Sequence, residues 1–238
     1  EIGSGLVGSE MCIRDRSMGL LSIVSSLLGI MAVLVMFTVS MESGVALMVL
    51  AGKINKNLVN LLHGEGGRAI GLSGIDGHMI RARMLDESLG YVGEITRVNI
   101  GPVLDLLEKG YIPVVSTLGC DKQGHAYNIN GDTAAAYIAG ALRAERLILM
   151  TDIAGILRDR EDPSSLIPEV TLEEADRLYE EGVISGGMIP KVRCCITAIH
   201  QGVRNAIIMD GRVPHSILME LLTDEGAGTM VIGGQGHA

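Results

Sequence analysis

Tryptophan is absent from the 238 residues, phenylalanine occurs once, and aromatics make up only 3% of the chain. With so few rings for bases to stack on, no run of five like charges and a formal charge of −9, a nucleic-acid surface is excluded. Cysteine is scarce too. Cys12, Cys120, Cys194 and Cys195 include no C-x-x-C pair, and the scattered histidines form no H-x-x-x-H pair, so neither a zinc site nor a disulfide framework is expected. The metal expectation is therefore none, and a reducing cytoplasm fits. What is abundant is aliphatic: hydrophobic residues reach 47% of the chain, enough for a full core of Val, Ile, Leu, Met and Ala.

The first forty residues differ from the rest. No charge falls between Ser17 and Met41, and "GLLSIVSSLLGIMAVLVMF" is long enough to cross a bilayer, with Arg14 and Arg16 before it. The preceding "VGSEMCIRDR" resembles peptide translated from linker DNA. Two readings follow: a membrane anchor, or a foreign reading frame joined to a truncated gene, of which the second is favoured. A boundary at 41/42 then separates a non-homologous segment, 1–41, from an enzyme domain, 42–238. "GSGLVG" near the start satisfies G-x-G-x-x-G but lacks a βαβ setting, so it carries no weight.

After Glu42 helices and strands alternate. "VALMVLAGKINKNLVNLL" has helical spacing and stops at "HGEGG"; "RAIGLS" is a strand; "HMIRARM" and "YVGEITRVN" read as a hairpin-like pair. "GPVLDLLEKG" is a helix, "YIPVVSTLG" a buried strand, and "RLILMTDIAGI" a second one beyond an alanine-rich helix. Thr171-x-x-Glu174 opens a further helix by a capping box, and another runs from about Pro190 to His200. "NAIIMD", "PHSILMELL" and "GTMVI" close the chain as strand, helix and strand. The class is α/β, with a mainly parallel sheet between helical layers.

Ligands of such sheets collect at the carboxyl ends of the strands. Three loops there carry chemistry. "YNINGD" sets Asn128, Asn130 and Asp132 before the alanine-rich helix; Asp132 caps that helix or serves a substrate, and two alternating asparagines favour the substrate. "TDIAGI", from Thr151, offers a hydroxyl, a carboxylate and a glycine either to a nucleotide or to an ordinary Asx turn. "SGGMIPK" places Gly186, Gly187 and Lys191 at a helix start, where a cation opposes the dipole unless an anion sits between them. Two functions fit: a phosphotransferase using ATP, and a noncatalytic small-molecule sensor of the same fold.

From Val45 to Ile232 the motifs "MVLAGKINKNLV", "GLSGIDGHMIRAR", "YNINGDTAAAYIAGAL", "LILMTDIAGIL", "ISGGMIPKV" and "DGRVPHSILMELLTDEGAGTM" resemble the N-acetylglutamate kinases of the amino-acid kinase superfamily. The resemblance implies a three-layer αβα sandwich, N-terminal strands missing, and phosphoryl transfer from ATP, with Mg²⁺, to the side-chain carboxylate of N-acetyl-L-glutamate in arginine biosynthesis. By position it implies that Asn128 binds the acetylated amino acid, that Asp132 organises the catalytic lysines and that Lys191 stabilises the transferring phosphoryl group. Asp152, Ile153, Ala154, Gly155, Ile156, Leu157, Val183, Ile184 and Ser185 are implied around the adenosine. The C-terminal stretch resembles the arginine-inhibited branch, which implies arginine as an effector, and the intact family member is expected to be a homo-oligomer. Ile75 stands where the family has lysine. The family's first lysine-bearing strand, glycine-rich loop and substrate arginine have no match before Val45, so weak activity or none is expected of the chain. An arginine- or nucleotide-binding sensor is the alternative.

Overall fold

A computed structural model describes residues 33–35, 43–223 and 226–233. The stretch matching G-x-G-x-x-G, Cys12 and most of the apolar N-terminal run lie outside the described residues. The described residues fall into two compact units, 33–142 and 143–233, dividing inside the stretch 42–238 expected to be one domain.

The first unit opens with strand β1 (Val33–Val35) and a continuous helical run: α1 (Ser43–Ala46), a π-helical segment (Leu47–Ile54) and α2 (Asn55–Gly64). Here the periodicity of the sequence is borne out, with one irregularity. The Asn55 amide bonds back to Leu50 and Gly52, the wide turn of a π-helix. The Asn55 side chain donates to the carbonyls of Leu72 and Val114, at 3.1 and 2.8 Å. Leu58 and Leu62 pack on Ala69 and Val114, while Ala46 and Leu50 pack on Leu118. Gly44–Gly64 is long and apolar enough to cross a membrane by length and composition alone, yet its inner face is committed to this packing.

Strand β2 (Ala69–Ser73) follows, then the antiparallel pair β3 (Ile80–Met84) and β4 (Gly93–Val98), helix α3 (Gly101–Glu108) and β5 (Ile112–Ser116). β1, β5 and β2 form a parallel sheet, with Val33 opposite Val114 and Ala69 opposite Ile112. β1 thus joins this sheet from the far side of the 41/42 boundary. "YIPVVSTLG", expected as one strand, breaks at Thr117. β6 (Leu118–Cys120) leaves for a second sheet, in the order β4, β3, β6, β7, where β7 is Ala126–Asn128. Helix α4 (Gly131–Leu142) closes the unit over a core of Met79, Ile80, Val103, Val115, Ile129 and Ile138.

The second unit contains β8 (Arg146–Thr151), β9 (Glu169–Thr171), α5 (Leu172–Glu180), α6 (Met188–His200), β10 (Asn205–Asp210), α7 (Ser216–Leu222) and β11 (Gly228–Ile232). Its sheet has the order β8, β10, β11, β9, parallel except between β10 and β11. Ala206, Ile207, Ile208 and Met209 are fully buried, so β10 is its centre. The capping box forms as expected: Thr171 accepts from the Glu174 amide at 3.2 Å and Glu174 from the Thr171 amide at 2.9 Å. Two details depart from the sequence. The strand expected over "RLILMTDIAGI" stops at Thr151, and β9 is too short to show in any periodicity.

Candidate functional site

The first unit gathers polar side chains at the carboxyl ends of β2 and β5. Ser73, Ser116, Thr117, Asn128 and Asp132 are all at most 7% exposed, in a unit whose other buried residues are almost all apolar. Backbone bonds make them neighbours: Gly74 N–H donates to Ser116 O (3.1 Å), Ile129 N–H to Thr117 O (2.9 Å), and Asn128 pairs with Leu118. Buried polar groups need partners. The Thr117 hydroxyl has none among the described residues. Asn128 N–H donates to the Tyr91 carbonyl at 2.8 Å, so the connection between β3 and β4 runs beside it.

Asn130 settles one question left by the sequence. Its Oδ1 accepts from the Thr133 amide (3.0 Å) and hydroxyl (3.2 Å), making it the N-cap of α4. The cap that Asp132 was weighed for is thus supplied two residues earlier. Asp132 lies buried within the first turn, where the helix dipole favours its charge. Ile75 also finds a role: it packs with Leu47, Ala51 and Ile54 on the Leu50–Leu118 cluster, an apolar seat suited to isoleucine.

In the second unit the loop 152–157 leaves the carboxyl end of β8, beside the end of β10. Gly155 has φ of +150°, and a Cβ there would stand 2.5 Å from Thr229 Oγ1 and 3.0 Å from the Thr229 amide nitrogen. Only glycine fits this approach. Ile156 is fully buried and anchors the loop, and among the described residues no acceptor faces the amides of Ile153, Ala154 and Gly155. Ile184, equally buried, anchors 183–185 through its amide to Leu178 O (3.0 Å). Arg160 ties the two segments by donating to the Ser185 carbonyl at 3.0 Å and to its hydroxyl. Gly186 then takes φ of +56°, and α6 begins with Gly187 as N-cap and no side-chain cap. Lys191 follows half-buried in the next turn. Met188 N–H and Ile189 N–H turn back to Ser185 O and Gly186 O (3.2 Å each) and Pro190 has none, so among the described residues the amides left open to an anion here are those of Gly186 and Gly187.

Four residues beside these loops, Thr117 in the first unit and three in the second, were given no role by the sequence reading. Asp210, Gly211 and Arg212 sit at the end of β10, with Asp210 opposite Thr151. Arg212 clasps the Asp210 carboxylate through Nε (3.0 Å) and Nη2 (2.8 Å). These bonds hold the Asp210 carboxyl below its ordinary value, with partial burial opposing them. "MDGR" ends a strand just as "MTDI" does, which was the available signal. Thr117 gave none, since its importance lies only in its burial. Elsewhere Asp121 is held down at about 2: desolvation, the largest single influence, opposes ionisation, but bonds from His125, Tyr127 and Gln123 together outweigh it.

The model of the Amino acid kinase family matches residues 17–210. The chain belongs to that family. The match begins inside the apolar N-terminal run. Acetylglutamate kinase of Thermosynechococcus vestitus is 54% identical over 187 residues, covering 78% of this chain and 63% of that protein. The chloroplastic acetylglutamate kinase of Arabidopsis thaliana is 53% identical over 188 residues, covering 78% and 54%. The chain therefore spans less than two thirds of the length of these curated relatives. Among solved structures, N-acetylglutamate synthase from Neisseria gonorrhoeae, complexed with coenzyme A and N-acetyl-glutamate, superposes with a TM-score of 0.75 at 21% identity, covering 94% of this chain and 56% of that one. That likeness fixes the α/β fold of the family.

Proposed function

We propose that this chain is an acetylglutamate kinase, transferring the γ-phosphoryl group of ATP to the side-chain carboxylate of N-acetyl-L-glutamate in arginine biosynthesis. The observation that carries this reading is the pair of glycine-bearing loops in the second unit, with open amides at Ile153–Gly155 and Gly186–Gly187 and Lys191 one turn on. That chemistry suits a polyphosphate. Asp152–Leu157 and Val183–Ser185 hold the nucleotide, and the relatives' common activity supports the acceptor.

In phosphoryl transfer little covalent work falls to the protein; charge spreads over the equatorial oxygens and is met by prepositioned donors. The Lys191 ammonium follows that charge on its flexible stem. Asp132 takes the organising part that the resemblance gives it, and Asn128 hydrogen-bonds the acetylated amino acid. Among the described residues no group of three or more His, Cys, Asp or Glu side chains gathers. Mg²⁺ would be carried chiefly on phosphate oxygens and water, as is usual for this ion with nucleotides. When bound it neutralises phosphate charge. Arginine acts as an effector through the segment around α7 and β11, of which residues 224 and 225 lie outside the described residues. We place the protein in the cytoplasm as a homo-oligomer, although one relative is chloroplastic.

Calorimetric titration of the chain with ATP and Mg²⁺, then with N-acetyl-L-glutamate, tests this together with hydroxylamine trapping of an acyl phosphate. Binding of ATP is expected, with product weak or absent in this chain and requiring both ligands; ATP binding without product marks a crippled kinase. Failure to bind either overturns the reading. Arginine binding without ATP would instead indicate the sensor.

A further inference from the structure

The loop 152–156 is fixed at both ends by side chains from the C-terminal part of its own unit. At the first end Arg212 Nη2, already held by the Asp210 carboxylate, also donates to the Asp152 carbonyl. Gly211 N–H bonds Thr151 O at 2.8 Å, so the fork is mounted on the β8–β10 edge. At the other end the fully buried Thr229 hydroxyl accepts from the Ile156 amide (2.8 Å) and donates to Ile167 O (2.7 Å). Gly155 lies flat against it. Between the two ties, the amides of Ile153, Ala154 and Gly155 have no acceptor among the described residues.

A surface arginine–carboxylate pair alone contributes little. Here the guanidinium does a second task, because its pairing with Asp210 aims the other Nη2 hydrogen at a main-chain oxygen of the loop. Ordering a loop before its ligand arrives removes that cost from binding.

We infer that Arg212 and Thr229 are positioning residues that hold the Asp152–Ile156 loop in its nucleotide-binding conformation without touching the nucleotide. This rests on the assignment of that loop to ATP. The segment carrying both side chains, 210–229, also contains α7, so the order of the nucleotide loop depends on the seating of this C-terminal arm.

The test compares Arg212→Gln, Thr229→Val and Thr229→Ser in the whole chain, by amide hydrogen exchange with and without ATP and Mg²⁺ and by calorimetry. Arg212→Gln and Thr229→Val are expected to speed exchange at Ile153–Ile156 and to weaken ATP binding by about tenfold, equivalent to about 1.4 kcal/mol. Exchange across α4, in the other unit, stays unchanged and reports intact folding. Thr229→Ser, which keeps the hydroxyl, restores both measurements; valine, which keeps the shape, does not. Unaltered loop exchange in both variants, or equal behaviour of valine and serine, overturns the inference. Should Thr229→Val fail to fold, the more exposed Arg212→Gln decides. If the unaltered chain shows no response to ATP while Arg212→Gln still loosens the loop, the nucleotide assignment has failed and the mechanical tie has not.

Discussion

Asn130 and Asp132 stand two residues apart, yet the fold gives them different work. Asn130 caps α4, so Asn130→Ala should lower stability by about 1 kcal/mol, read as a fall in the urea midpoint with the slope unchanged. Asp132→Asn removes a buried charge at a favourable helix end, and its effect should fall on catalysis. In a complete homologous protein, the change matching Lys191→Ala should lower kcat by about 10²- to 10³-fold while KM moves only a few-fold, as for a donor lost from a developing charge. An unchanged kcat would remove Lys191 from the chemistry. Gly155→Ala combines a positive φ with a Cβ 2.5 Å from Thr229 Oγ1; it should cost about 1 to 3 kcal/mol and weaken nucleotide binding. Candidate residues with a distinctive type and spacing were legible in the sequence. Thr117 was not, because a threonine following a serine at a strand's end looks ordinary until its hydroxyl proves buried without a partner.

The elements that could be read were those with their own local signal. The capping box at Thr171 and the helical spacing of 45–62 needed no tertiary information, and both formed. β6, β7 and β9 have three residues each, too few for alternation to register; they exist because neighbouring strands offer hydrogen bonds. The break at Thr117 is similarly tertiary, since Leu118 is drawn into the apolar cluster under the π-helical segment. The turn joining β6 to β7 makes a pH prediction. Asp121 titrates at about 2 when folded against an ordinary 3.8, so its stabilisation is complete above about pH 4 and lost as pH falls through about 2. Amide exchange at Gln123 and His125, whose N–H groups it accepts, should rise across that window. Asp121→Asn should abolish the dependence.

The described residues form two α/β units whose loops differ: buried polar side chains gather in the first, and glycine-bearing loops with a nearby lysine in the second. Composition foretold the class, since a chain of aliphatic residues with hardly any aromatics packs well as helices on parallel strands. It did not foretell the division at 142/143, because no glycine- or proline-rich linker marks it. The nucleotide assignment supports everything else proposed for the chain, and calorimetry on the unaltered chain and on Gly155→Ala measures it directly. The account predicts saturable binding of ATP with Mg²⁺ that weakens by at least about tenfold in the variant, a difference of about 1.4 kcal/mol. No binding, or equal affinity in the two proteins, would contradict it.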